Sequence, residues 1–491
     1  MKLRMVIILS LLIFLSTSSF FVKKYLIDEI DAGQANESQI DFAVDLEVPT
    51  AIKLKIISGK LSEQELIKRK KTLASRDSTE ALWLGEYFKS KNNTAEAIAW
   101  LNESIRQGSS QAKLQLAQLY YEGRELTKAQ LLLDELYAVD EANRLNMEIA
   151  IEKGEKDKML QLQKLTDFYV YDKTFFSQLE TYEVLLFGDQ SHNARENYHQ
   201  DSQCQNIIQP FASRLSDLIY FDQVIENVKT HPIASYFCFL KPKYIPITKL
   251  SCEAKKGKPI TCDELSWQTV KLNSEVKYIS VMLPEGGANV HSGIMYLDSR
   301  DTEKVFAHEL SHFLGLIDEY PLANNHRACL NPEVRVLANN IVLMQDSMPL
   351  SEISEGELKD NLLSILPWAN HIKPTTPLFQ KVGSNWKIGT PQQYAKEIGL
   401  FITNTCELEN LNAFKPVSTP TIMENNDYEL PDVYNLLISN SNNIFGMPSY
   451  HYNVAQAMAA AEVNGFMDWL ELSLKKEHNK TKQLKIQNGL Y

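Results

Sequence analysis

One stretch decides the fold of the C-terminal half of this chain, residues 277–320, which read KYISVMLPEGGANVHSGIMYLDSRDTEKVFAHELSHFLGLIDEY. Residues 277–283 contain Tyr, Ile and Val, which favour a strand, and a Gly-containing loop follows them. Residues 293–297 favour a second strand. Asp301 or Thr302 suits a helix N-cap, and apolar residues then recur at helical spacing. The pattern predicts two strands followed by a helix.

The predicted helix carries His308 and His312 one turn apart, with Glu309 next to the first histidine. A separation of four residues puts both imidazoles on one face, where they can bind one metal ion. Glu309 can then act on water as a general base rather than as a ligand. Gly315 can end the helix through a positive φ angle, and the turn would bring Asp318 to the metal as a third ligand. The alternative is a helix with two surface histidines.

The motif HELSHFLGLIDEY at residues 308–320 resembles that of the metzincin clan of zinc peptidases. Its end is similar to the bacterial IgA-peptidase family, in which an Asp-Glu-Tyr triplet follows the zinc helix. The resemblance implies a metzincin-like peptidase domain with one Zn²⁺ per chain, bound by His308, His312 and Asp318. It also implies that Glu309 is the general base and acid.

The same resemblance implies a methionine in a tight turn beneath the metal ligands. Met423, which follows Pro420 and precedes Asn425, matches best. Three other methionines are alternatives: Met344, Met348 and Met447. Many members of the clan have a tyrosine two positions beyond the methionine, where this chain has Asn425. Tyr320 or Tyr428 is therefore expected to support the transition state instead.

Composition narrows the class of protein. The chain has 491 residues, of which 44% are hydrophobic and 23% charged, so two to four folded domains are expected. Lys and Arg total 50 against 62 Asp and Glu, which gives a formal net charge of -12. A nucleic-acid partner recruited by overall basicity is therefore not expected.

The N-terminus has the pattern of an export signal. Lys2 and Arg4 precede an apolar run over residues 5–15, and small residues and a second apolar group extend it to residue 22. The segment is either cleaved or retained as a membrane anchor over residues 5–22, which is the only membrane contact expected. The protein is expected to be periplasmic, anchored facing outward, or secreted.

Six cysteines fit an oxidising compartment, and none forms a Cys-x-x-Cys pair. They allow 15 connectivities, and the sequence does not select one. The preferred set joins Cys204 to Cys238, Cys252 to Cys262, and Cys329 to Cys406. Buried free thiols are the alternative.

Residues 76–164 repeat a helical pattern at an interval of 32 positions. Gly85 and Ala97 correspond to Ala117 and Ala129, small residues that let two helices approach closely. The pattern resembles short tetratricopeptide-type repeats, which could bind a protein partner. The alternative is two helical hairpins that only pack on a neighbouring domain.

These observations predict an α+β protein with a helical-repeat module followed by a zinc peptidase domain. The predicted segments are 1–22 (signal or anchor), 23–75 (linker or helical lead-in), 76–165 (repeats), 166–480 (peptidase) and 481–491 (tail). The expected function is that of an exported zinc-dependent endopeptidase that acts on a protein or peptide substrate, with residues 293–297 as the strand that pairs with it. The rival is a non-catalytic envelope interaction module with a structural or vestigial zinc site.

Overall fold

The structure is a computed structural model that describes part of the chain. The described ranges are 20–165, 170–186, 204–323, 326–330, 335–408, 411–439 and 444–489. Most of the predicted export segment, residues 1–19, lies outside them. Within these ranges, none of the helices combines the length and apolar character needed to cross a bilayer.

The chain divides into two compact units, and together they make an α+β protein, as predicted. The first unit comprises Met1–Ile149 and Leu165–Tyr171, and the second comprises Ala150–Lys164 and Asp172–Tyr491. The boundary therefore falls at residues 149/150, within a helix, whereas the sequence suggested residues 165/166.

Every described element of the first unit is helical, including residues 20–31. Its helices are α1 (Glu37–Asp45), α2 (Pro49–Ile57), α3 (Glu63–Ala74), α4 (Ser78–Ser90), α5 (Thr94–Arg106), α6 (Ser110–Glu122), α7 (Leu126–Leu133) and α8 (Asp140–Lys153), the last of which contains the boundary. The predicted lead-in over residues 23–75 thus consists largely of helices.

Two helix pairs recur at the predicted interval, because α6 begins 32 residues after α4 and α7 begins 32 residues after α5. Asp77, Asn93 and Ser109 each cap the helix that follows by accepting a backbone N–H, which fixes where these helices begin. A Cβ added at Gly85 would lie 2.7 Å from the side chain of Leu101, so this close approach requires glycine. The tetratricopeptide class of these hairpins stays a prediction.

The second unit mixes helices and strands. Its helices are α9 (Lys156–Gln163), α10 (Lys173–Thr181), α11 (Leu215–Val228), α12 (Ile247–Leu250), α13 (Glu303–Phe313), α14 (Glu355–Ile365), α15 (Asp432–Ile438), α16 (Tyr450–Ala460), α17 (Phe466–Lys475) and α18 (Lys480–Gln487). Short 3₁₀ turns occupy Val184–Leu186, Pro232–Tyr236, Glu264–Thr269, Arg327–Cys329, Ala369–His371 and Gln392–Tyr394. Helix α18 lies in the segment expected to be a tail, and its Lys482 and Ile486 are buried.

The main sheet has the strand order β2-β1-β4-β6-β5, and β3 also pairs with β1. Its strands are β1 (Ile207–Ala212), β2 (Cys238–Phe239), β3 (Lys243–Tyr244), β4 (Tyr278–Leu283), β5 (Asn289–His291) and β6 (Ile294–Asp298). All pairings are parallel except that of β5 with β6. Because β4 and β6 are buried along their whole length, both read as apolar runs rather than as an alternation.

Helices cover both faces of this sheet. On one face, the ring of Phe313 from α13 stacks on Tyr278 with a centroid separation of 4.2 Å. On the other face, Ile279 belongs to a core cluster with Tyr450 and Val454 of α16. Adjacent side chains of β4 therefore point to opposite faces of the sheet, as strand geometry requires. Helix α13, which carries the two histidines, packs on the face that contains Tyr278.

The strand expected to pair with substrate is an internal strand. β6 is already paired with β4 on one edge and with β5 on the other. The expectation for residues 293–297 is therefore wrong, since a strand with both edges occupied has no backbone groups left for an added strand. The sequence analysis missed β5, which is short and partly polar, and which forms this end of the described sheet.

Two smaller sheets lie between the metal motif and the end of the chain. The first has the order β10-β11-β9 and the second β12-β13-β8-β7. Their strands are β7 (Arg335–Val336), β8 (Val342–Met344), β9 (Ser347–Pro349), β10 (Phe379–Val382), β11 (Asn385–Ile388), β12 (Phe401–Leu408) and β13 (Leu411–Lys415).

All six cysteines form disulfides, and the preferred connectivity is confirmed. The pairs are Cys204–Cys238, Cys252–Cys262 and Cys329–Cys406. These bonds are consistent with an oxidising, exported environment.

Candidate metal centre

Helix α13 begins after Thr302, one of the two predicted N-caps, and presents His308 and His312 on one face. Their ring centroids lie 4.9 Å apart, and the ring planes are nearly perpendicular. Most of the helix is buried because it packs on the main sheet, so the first histidine is only 4% exposed. The alternative of two surface histidines is therefore wrong.

Gly315 ends the helix as predicted. Its φ is +85°, and its N–H donates to the carbonyl of His312 while that of Leu316 donates to Ser311. These two bonds make a Schellman motif, which closes the helix and reverses the chain. A Cβ at Gly315 would lie 2.5 Å from the carbonyl carbon of Phe445, so the position has neither the conformation nor the space for another residue.

The turn brings Asp318 back to the two histidines. Its Oδ1 lies 3.0 Å from Nε2 of His308 and 3.3 Å from Nε2 of His312. The three side chains form the one group in the described ranges that could hold a metal ion, with ligand atoms within 4.8 Å of one another. Tetrahedral ligands at about 2.0 to 2.1 Å from an ion are about 3.3 Å apart, so the donor set fits a small divalent metal.

Hydrogen bonds on the far side of each ring orient the two histidines. Nδ1 of His308 lies 2.7 Å from the carbonyl oxygen of Ile422, and Nδ1 of His312 lies 3.0 Å from that of Leu316. A carbonyl only accepts, so each Nδ1 carries the proton and each Nε2 faces Asp318. This arrangement is the one that metal-binding histidines use.

Charges within the cluster shift its pKa values strongly. Burial alone would lower the pKa of His312, but the carboxylate of Asp318 overcomes it and raises the value to about 9. Burial alone would raise the pKa of Asp318, but the positive charges of His312 and His308 hold it well below its usual range. Both shifts come from the attraction between the carboxylate and the adjacent imidazoles, and a metal ion bound here would supply the same positive charge.

Glu309 is 6% exposed, and its Oε2 has no hydrogen-bond partner anywhere in the described part of the chain. Burial raises its pKa, and the nearby His312 and His308 charges offset part of that rise. A buried carboxylate oxygen without a partner is costly, and such a group is seldom kept without a use. Its position beside the cluster suits a proton acceptor for water.

Met423 is fully buried in a tight turn that also supports the ligands. The preceding residue, Ile422, supplies the carbonyl that orients His308. Thr421 closes the turn, because its carbonyl accepts from Glu424 N–H and its Oγ1 accepts from Met423 N–H. The placement of Met423 beneath the ligands stays a prediction.

Glu319 is the central residue that the sequence analysis did not single out. It is 1% exposed, and its backbone N–H donates to the carbonyl of Met423 at 2.8 Å. Its carboxylate accepts from four side chains: Lys415 at 2.7 Å, Thr421 at 2.8 Å, Asn340 at 3.1 Å and the hydroxyl of Tyr434. Glu319 therefore ties the residue after the third ligand to the methionine turn, to β13 and to α15. Its only signal in the sequence was its place in the Asp-Glu-Tyr triplet.

The two candidate tyrosines differ in position. The ring of Tyr320 lies nearly parallel to that of His308, with centroids 6.5 Å apart, and the side chain is 42% exposed. Burial raises its pKa, and the charge of Asp318 and a hydrogen bond to it raise it further. Tyr428 is also exposed, but among the described residues no hydrogen bond or ring contact joins its side chain to the cluster. Tyr320 is thus the tyrosine that adjoins the site.

The chain matches none of the family models compared with it, and no curated protein is significantly similar to it.

Proposed function

We propose that this protein is an exported zinc-dependent endopeptidase of the metzincin type, similar to the bacterial IgA-peptidase family. One observation carries the proposal: His308, His312 and Asp318 converge while the buried carboxylate oxygen of Glu309 beside them lacks a partner. The first three would hold the ion, and the last would serve as the base. A helical motif, a glycine turn and a methionine turn in the same order support the family assignment.

The chemistry divides between the ion and the residues of this chain. Zinc, when bound by the three ligands, supplies a Lewis acid that polarises the scissile carbonyl and lowers the pKa of water. Glu309 takes the proton of the attacking water and returns it to the leaving amine, which its raised pKa favours. The hydroxyl of Tyr320 donates a hydrogen bond to the oxyanion that develops on the carbonyl. Tyr428 is the weaker candidate for that role.

The substrate would bind in an extended form along β5. This strand pairs with β6 on one edge, and the other edge is the one that an added strand can use. Backbone hydrogen bonds of this kind do not select side chains, so the proposal covers peptides and unfolded protein segments as a class. The helical hairpins of the first unit would bind a protein partner or a large substrate.

The rival proposal is a non-catalytic envelope module with a structural metal. Such a site requires ligands but no base, and the buried Glu309 would then be a cost without a function. The partnerless carboxylate oxygen therefore favours the peptidase.

Two pairs of variants test the proposal on the purified, exported protein. His308→Ala/His312→Ala should lose about one zinc per chain, whereas His371→Ala, a histidine outside the cluster, should keep it. Glu309→Gln should keep zinc and fold but lose peptide hydrolysis by at least about 100-fold, whereas Glu303→Gln in the first turn of the same helix should not. Zinc is measured by elemental analysis and hydrolysis with a peptide library. Full zinc in the double variant would refute the ligand set, and undiminished turnover in zinc-loaded Glu309→Gln would refute the base.

A further inference from the structure

A polar cavity lies in the second unit, and it is distinct from the metal cluster. It has a volume of about 340 Å³, and none of the three candidate metal ligands lines it. Its wall includes Phe313 and Leu314 at the end of α13, and the start of α18 borders it at Asn479. Three lysines reach it: Lys277, Lys476 and Lys482.

Two of these lysines are buried and share a single carboxylate. Glu477 lies 3.3 Å from the ammonium of Lys277 and 2.7 Å from that of Lys482. The three side chains are 9%, 4% and 7% exposed in the order Lys277, Glu477, Lys482. One carboxylate cannot balance two ammonium groups, so a positive charge is left over inside the protein.

Among the described residues, no carboxylate other than Glu477 lies within ion-pair distance of Lys277 or Lys482. Lys476 adds another cation, and its partner Glu275 is 3.5 Å away with its side chain 61% exposed, so water screens that pair. Oε1 of Glu477 lies near Lys277 but has no hydrogen bond within the described ranges, so the cluster is not fully satisfied. Uncompensated buried charge is strongly unfavourable unless a counter-ion joins it.

We propose that this cavity binds a small oxyanion, a phosphate or carboxylate group, between Lys277, Lys476 and Lys482. The side chains of Gln205 and Asn479 also line the cavity, and their amide N–H groups can donate to the oxygens of the anion. The first turn of α18 adds the positive end of a helix dipole at the same wall.

The pKa of Lys482 agrees with this assignment. Burial and the charge of Lys277 lower this pKa while Glu477 raises it, and the net value is about 8. A group with this environment gains from any anion that enters the cavity, because the anion offsets the repulsion between the two ammonium groups.

The wild-type protein with inorganic phosphate is the first test. Titration calorimetry at constant ionic strength should give saturable binding of one phosphate per chain, with chloride as the reference anion. A parallel titration with acetate distinguishes the sources: tighter phosphate identifies a phosphate group, and tighter acetate a carboxylate. Heat no larger than that of chloride for both anions would overturn the proposal.

Variants then locate the site. Lys482→Met should weaken phosphate binding about 10-fold or more, the scale of one lost charged hydrogen bond. Lys475→Met, an exposed cation of α17 that does not line the cavity, should leave it unchanged. Equal affinity in both variants would place the anion elsewhere and overturn the proposal.

Glu477→Gln separates anion binding from simple packing. Removing the one internal carboxylate raises the unbalanced charge, so phosphate should bind more tightly and raise the Tm of this variant more than that of wild type. If the cluster served packing alone, the variant would lose stability and phosphate would not restore it. That outcome would overturn the proposal even if Lys482→Met failed to fold.

Discussion

Neutralising Glu319 should loosen both the fold and the metal centre. The carboxylate is almost fully buried, and Lys415 donates to it at 2.7 Å from a side chain that is only 5% exposed. Glu319→Gln keeps the size of the side chain but replaces one oxygen with an N–H donor. That donor would face Lys415 and Thr421 or, with the amide turned over, Asn340 and Tyr434, all of which donate to the carboxylate in the native protein.

The size of the effect follows from these contacts. Breaking one partner of a buried ion pair costs about 3 to 5 kcal/mol, because the other charge is left behind. Lys415 retains the Thr419 carbonyl at 3.1 Å and Glu424 at 3.1 Å, a carboxylate whose side chain is 42% exposed. These contacts offset part of the loss. We therefore expect Glu319→Gln to lower the free energy of unfolding by about 3 kcal/mol.

Urea unfolding of the metal-free protein measures this loss, and a double-mutant cycle with Lys415→Met isolates the pair. The coupling energy should be about 2 kcal/mol or more, since the double variant no longer buries a lone charge. Glu424→Gln is the control and should cost less than about 1 kcal/mol because that carboxylate is partly exposed. Metal affinity should also fall about 10-fold or more in Glu319→Gln, since the turn that orients His308 is loosened. A loss no larger than that of the control would refute the reasoning.

Three further variants test other parts of the second unit. Burial lowers the pKa of His451 from 6.5 to about 4, so between these pH values only the unfolded chain takes up this proton. As the pH falls from 6.5 to 4, the free energy of unfolding of the wild type should therefore decrease by up to roughly 3 kcal/mol. Urea unfolding across this pH range should show a smaller decrease for His451→Gln. Replacing Cys329 and Cys406 by alanine removes a bridge across 77 residues and should lower the free energy of unfolding by about 4 kcal/mol in the same assay; an unchanged value would contradict an ordered cross-link. Gly315→Ala should lower the Tm and the metal content because the added Cβ would collide with backbone atoms. The control is Gly383→Ala, which is also at positive φ but in open space and should lower the free energy of unfolding by only about 1 kcal/mol. Equal losses of stability in the two variants would show that the lack of space at Gly315 does not matter.

The local part of the site could be predicted because its rules are local. A four-residue spacing fixes the relation of His308 to His312, and a glycine at positive φ fixes the turn that returns Asp318. Each of these relations involves residues that are close together in the sequence, within about four helical turns, where regular helix geometry fixes their positions. The same holds for the helix pairs of the first unit, where a repeated pattern at a constant interval predicted repeated structure.

The parts that depend on distant pairing could not be predicted. Glu319 meets Lys415, Thr421 and Tyr434, which lie 96, 102 and 115 residues further along the chain. No short motif joins such positions, because tertiary packing alone brings them together. The expectation that residues 293–297 pair with substrate failed for a related reason: β5, which covers that edge, has three residues, of which two are polar, too few to show a strand period.

The disulfide between Cys329 and Cys406 gives the ligand loop a dependence on where the chain is in the cell. Thr405, next to Cys406, donates its hydroxyl to the carbonyl of Asp318 and accepts the N–H of Leu322. The disulfide and these hydrogen bonds thus hold both ends of the segment from Asp318 to Cys329 against the same strand, β12. In a reducing compartment this disulfide is absent, and hydrogen bonds alone must offset the entropy lost when the segment after Asp318 is ordered. If the proposed metal centre forms after export, the loop that carries its third ligand would gain this support only where thiols are oxidised.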